Sequence, residues 1–108
     1  MFKVYGSPMC PDCRECKANF DANNVPYEFI DINANLRNLK VFLMMRDIDP
    51  VFDHCKEIND IGLPALVRED GTVFLNWEDW MKENGMEVRH YETPDPSHTA
   101  CSLDRKGC

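Results

Sequence analysis

A chain of 108 residues is one domain's worth, long enough to bury a single core without help from disulfides. With 44% apolar and 29% charged residues it is ordinary globular material, which excludes wholesale disorder and collagen-like repetition. A formal charge of -7 with no offsetting Lys/Arg stripe argues against nucleic acid and anionic membrane as partners.

The elements follow in chain order. Phe2 to Tyr5 carries β-formers and reads as a first strand, ended by Gly6-Ser7-Pro8. Pro11 suits the first turn of a helix, where its missing N–H costs nothing, and the helix runs over Asp12 to Asn23. Val25 to Ile32 is a second strand. Leu36 to Arg46 is a long helix whose apolar side is expected to be Leu36, Leu39, Val41, Phe42 and Leu43, with Leu43-Met44-Met45 in the core. Asp49-Pro50, an N-cap followed by a first-turn proline, opens a shorter helix to about Asn59, broken by Gly62. Pro64 to Arg68 and Thr72 to Leu75 are strands joined by the Asp70-Gly71 hairpin signal. Asn76 is placed to cap a last helix from Trp77 to about Asn84. The order βαβαα-ββα makes a compact α/β unit.

After Gly85 the character changes. Residues 1–88 are expected to form the domain, and 89–108 a polar, mobile C-terminal tail with two prolines, two histidines and two cysteines. The longest uninterrupted apolar run, Val41 to Met45, is far short of the ~18 residues of a membrane span. The first residues lack the apolar stretch and cleavage site of an export signal. A cytoplasmic protein is the expectation.

Six cysteines are then the informative count. Outside a secreted disulfide scaffold, cysteines clustered near a strand do redox or metal chemistry. Cys10, Cys13 and Cys16 fall within seven residues. A Cys-x-x-Cys at a strand-to-helix turn puts Cys10 at the helix N-terminus, where unpaired amides and the positive dipole end favour the reactive thiolate. Cys13 lies one turn onward, in reach of a disulfide. Arg14 and Lys17 add positive charge; Asp12 works against the thiolate. This geometry predicts an exposed nucleophile at Cys10 and a shielded resolving thiol at Cys13. Zinc knuckles use the same spacing, so a metal or iron–sulfur module on Cys10, Cys13 and Cys16 is the alternative. Three cysteines at i, i+3 and i+6 fall ~60° short of a full turn at each step, so convergence needs the first one in a loop. Cys16 and Cys55 read otherwise as packed small residues, and His54 as a surface residue. Trp77 and Trp80, at i and i+3, read as one core residue and one rim residue. Cys101 and Cys108 are without a stated role.

Residues 1 to about 84 resemble the glutaredoxin branch of the thioredoxin superfamily. The likeness is carried by Cys10-Pro11-Asp12-Cys13, the strand from Val25 to Ile32, Gly62-Leu63-Pro64-Ala65-Leu66-Val67, the Asp70-Gly71 hairpin and Glu78-Asp79. It implies a thioredoxin-like α/β fold with a four-stranded mixed sheet and helices on both faces. It implies a thiol–disulfide oxidoreductase with Cys10 and Cys13 as the catalytic pair, no bound cofactor and no metal. Leu63, Pro64, Glu78 and Asp79 would then contact substrate, with Pro64 cis beside the active-site sulfur. Disulfide substrates, and glutathione or a thioredoxin-reductase-like flavoprotein as reductant, are the implied partners of a monomer. Residues 1 to 32 also resemble the arsenate-reductase-like proteins of the same fold. Three features depart from the glutaredoxin pattern. Ser7 replaces a glutathione-binding lysine, Leu75-Asn76 replace a Gly-Gly pair, and the stretch from Asn33 to Asp60 is long. The departures predict poor reduction by glutathione and better reduction by a protein dithiol.

Overall fold

The computed structural model describes residues 1–91. Cys101 and Cys108, and the tail expected beyond residue 91, lie outside the described residues. Four strands, β1 (Phe2–Gly6), β2 (Tyr27–Asp31), β3 (Ala65–Val67) and β4 (Val73–Phe74), form one sheet in the order β2-β1-β3-β4. β1 runs parallel to β2, with Gly6 opposite Asp31, and antiparallel to β3, with Tyr5 opposite Ala65. β4 returns antiparallel to β3. The crossover between the parallel strands is α1 (Pro11–Ala22). The other helices are α2 (Leu36–Ile48), α3 (Asp53–Glu57) and α4 (Trp77–Glu83), with a 3-10 turn at Pro50–Phe52. The single helix expected from Asp49 to Asn59 is thus a 3-10 turn followed by a short α-helix. Asp49 caps it as expected, accepting from the Val51 N–H at 3.0 Å. Asn76 stands at the N-cap of α4 but makes no side-chain cap bond.

Side-chain alternation along the central strands sorts the core into two layers. Val4 and Leu66 pack with Cys16 and Phe20 of α1 and with Trp77 and Met81 of α4. Tyr5 and Ala65 pack on the other layer with Phe42 of α2, Phe52, Cys10 and Cys13. The result is the expected thioredoxin-like α/β fold with a four-stranded mixed sheet and helices on both faces. Trp77 is buried, while half-buried Trp80 sets its ring edge-on to Phe2 at 4.9 Å. Cys16 and Cys55 are packed, as expected.

α2 corrects the sequence reading. Only Phe42 is buried, with Leu39 and Met45 partly so. Leu36 is 81% exposed, and Val41, Leu43 and Met44 also face solvent. The Phe42 ring meets the Phe52 ring edge-on at 5.8 Å, and Leu39 and Met45 pack against the same cluster, so these three positions define the inward face of the helix. Neighbouring apolar residues are carried outward.

At the domain's far end, Arg89 to Tyr91 continue past the expected boundary at residue 88. The Asn19 carboxamide donates to the Arg89 carbonyl and accepts from its N–H, both at 2.8 Å. The buried Glu15 carboxylate accepts from the Tyr91 N–H at 2.8 Å and lies 3.2 Å from His90 Nδ1. These bonds lay residues 89–91 along α1. No helix among the described residues is long and apolar enough to cross a membrane.

Candidate active site

β1 delivers the chain directly to the cysteine loop. Ser7, marked in the sequence only by the family lysine it replaces, organises that loop. Its carbonyl accepts from the Cys10 N–H at 3.1 Å, and its Oγ accepts from the Met9 N–H at 3.1 Å and donates to Asn33 Oδ1. Ser7 is itself buried. A lysine at position 7 would therefore lose these bonds without gaining a surface position. A Ser-Pro at a strand end, with Oγ free to bond the backbone two residues on, was the available signal.

Cys10 is the N-cap of α1, and the Cys13 N–H points at its Sγ from 3.4 Å. An amide in that position stabilises negative charge on the cap atom, and the helix dipole adds to it. Arg14 Nη1 donates to the Pro8 carbonyl at 2.7 Å, tying the loop to the first turn. Cys10 is 2% exposed, so the expectation of an exposed first cysteine is corrected: it packs beside Tyr5, Leu63 and Ala65. The residues before it, Pro8 and Met9, are exposed.

Cys13, fully buried, carries a free thiol, as do Cys16 and Cys55. Burial pushes the Cys13 thiol up to about 12, with the Asp12 charge adding to it; the Ser7 backbone N–H, Arg14 and Lys17 oppose. Cys13 is thus protonated at neutral pH. Burial raises the Cys16 thiol further. Gly6 makes room for the Cys13 sulfur. A Cβ there would stand 2.9 Å from Cys13 Sγ and 3.0 Å from the Phe29 ring. From the sequence, Gly6 stands only as a strand terminator.

The Leu63–Pro64 peptide bond is cis, as the resemblance implied. Leu63 and Ala65, on either side of Pro64, share one buried cluster with Cys10 and Cys13. Gly62 turns the chain into this segment at φ +95, against the Phe52 ring. Cys10, Cys13 and the Leu63–Pro64 segment are therefore brought together. Glu78 and Asp79 are one step removed, lining a cleft with Asp12, Leu75 and Asn76. Burial raises the Asp12 carboxyl from 3.8 to about 6, with the Glu78 charge adding to it; the Trp77 indole opposes.

Cys16 belongs to the layer of Val4, Phe20 and Leu66, apart from the cluster that holds Cys10 and Cys13. No group of three His, Cys, Asp or Glu side chains among the described residues is placed to hold a metal ion.

The glutaredoxin family profile matches residues 2–49, and an uncharacterised protein of Haemophilus influenzae is 37% identical over 73 residues. That alignment covers 68% of this chain and 85% of the relative. The chain belongs to the glutaredoxin family. No solved structure matches it. Leu75 and Asn76 line the cleft beside Asp12, whereas Ser7 is buried within the cysteine loop.

Proposed function

We propose that this glutaredoxin is a thiol–disulfide oxidoreductase acting through Cys10 and Cys13. A Cys10 thiolate attacks one sulfur of a substrate disulfide, forming a Cys10–substrate bond and expelling the other sulfur as a thiolate that takes up a proton. Cys13 then gives up its proton and attacks Cys10 Sγ, forming the Cys10–Cys13 disulfide and releasing the second substrate thiol. Two electrons pass from the dithiol to the substrate. A high Cys13 pKa keeps the resolving thiol from competing for the first attack. The substrate's backbone pairs with Leu63 beside Pro64, in the manner of β-strand addition.

The observation that carries this reading is the Cys13 N–H aimed at Cys10 Sγ across the first turn of α1. Recharging draws two electrons from glutathione or from a thioredoxin-reductase-like flavoprotein. Leu75 and Asn76 crowd the approach a glutathione backbone would take, which favours the protein dithiol. A reducing cytoplasm is the compartment that suits six cysteines on such a chain.

The test is dithiothreitol-driven reduction of a peptide disulfide by the full chain and by its Cys10→Ser variant. Cys10→Ser should lower the rate by about 100-fold or more. Retention of the parental rate would refute the assignment.

A further inference from the structure

Five of the nine large apolar side chains exposed among the described residues lie on one helix, α2. Val41, Met44 and Ile48 are 41%, 58% and 83% exposed. At ~100° per residue they fall within an arc of about 60°, so they form one stripe along the outward side of the helix. Their spacing, i, i+3 and i+7, is that of the seam between two paired helices. An exposed apolar patch of this kind marks a surface that meets a partner.

The charged residues beside the stripe say which partner. Lys40 and Asp47 are both exposed and lie seven residues apart, one above the other on one flank of the stripe. When two copies of α2 pack antiparallel about a two-fold axis, that flank of each helix faces itself in reverse order. Lys40 then stands against Asp47 of the second copy, and Asp47 against its Lys40, so both charge pairs form at once. Val41 meets Met44 of the second copy across the axis. Ile48 lies under the aliphatic stem of Arg37, whose charge sits by the negative end of the facing helix. A parallel pairing sets the Lys40 flank against the Met45 flank instead and makes neither charge pair.

We infer that this face of α2 is the interface of a symmetric, antiparallel homodimer. Val41, Met44 and Ile48 are its seam, and Lys40 with Asp47 its two charge pairs. α2 starts just beyond Asn33, whose side chain accepts from Ser7 in the cysteine loop. Antiparallel packing separates the two helix starts by about 20 Å, so the two cysteine loops lie toward opposite ends of the contact. A contact between helices this short is smaller than the ~1,200 Å² of a stable interface. The dimer is therefore weak, and dilute solutions hold single chains.

The test is sedimentation equilibrium of the full chain from about 1 µM to about 1 mM, a span that brackets weak association. A reductant is present so that no disulfide links the copies. The mass should rise with concentration from that of one chain toward that of two. Met44→Asp, at the centre of the seam, should weaken association by about tenfold or more. Lys40→Asp and Asp47→Lys each set like charges against like, and each should weaken association severalfold at low salt. Mixed in equal amounts, these two variants face each other with opposite charges at both pairs, and association should return to the parental strength. All three positions are exposed in the single chain, and both charge changes suit the helix dipole, so the variants keep the fold. A chain that stays monomeric throughout would overturn the proposal. So would a dimer that the charge variants leave unchanged, or a mixture that associates no better than either variant alone.

Discussion

α1 and α2 differ by one residue in length and do opposite things. α1 buries Cys13, Glu15, Cys16, Asn19 and Phe20, two of them polar; α2 buries Phe42 alone while holding Leu36, Val41, Leu43, Met44 and Ile48 toward solvent. Apolar content therefore does not decide which helix is held in the fold. Position does: α1 is the crossover between paired strands, and its polar side chains find backbone partners in residues 89–91. A site that needs a sulfur fixed at a helix mouth is better served by the helix that cannot shift.

The largest expected difference between the two helices is in packing. Phe20 is fully buried and touches the rings of Phe2, Tyr27, Trp77 and Trp80. Phe20→Ala should cost ~3–5 kcal/mol in denaturant unfolding. A cost near zero would mean α1 is not the anchored helix.

Asp12 sharpens the comparison through pH. Its carboxyl titrates at about 6 in the fold against 3.8 when free, so the folded chain holds its proton longer. Its contribution therefore lowers stability as pH rises from about 4 to about 6, by ~3 kcal/mol at most. Asp12→Asn should raise stability at pH 7.5 and flatten that part of the pH profile, read by thermal unfolding across pH 4 to 8. An unchanged slope would show that Asp12 is as well solvated as a surface carboxylate.

Asn19 tests whether polar burial holds α1 in place. Asn19→Ala leaves the Arg89 N–H and carbonyl without their partner and should cost ~1–3 kcal/mol. Exchange of the Arg89 amide hydrogen should speed up in the same variant. The smallest effect belongs to α2: Ile48→Ser, at a residue 83% exposed, should change stability by no more than ~0.5 kcal/mol. A larger loss would place that side chain against a partner.

The cysteine loop was legible because its signals are local. Cys10, Pro11 and Cys13 lie within one turn, and the strand, cap and first-turn proline around them each point the same way. Pro64 was legible through likeness alone, since nothing in its neighbourhood demands a cis bond. The rotation of α2 was not legible. Its row of apolar residues fits several faces, and Phe52, whose ring Phe42 meets, lies ten residues further on. The partners of Glu15 and Asn19 lie 70 or more residues away and are mainly backbone groups, which carry no sequence signal. The sequence marks Ser7 only by the lysine the family has in its place, and Gly6 only as strand punctuation. Their roles are contacts with Asn33 and Cys13, visible only once β1, α1 and the loop after β2 are assembled.

The central claim is that Cys10 attacks and Cys13 resolves. Removing the resolving thiol should stop the reaction at its intermediate. The full chain carrying Cys13→Ser, mixed with a peptide disulfide and mapped by mass spectrometry after proteolysis, should hold one peptide in disulfide linkage to Cys10. An adduct on any other cysteine, or none at all, would contradict the assignment.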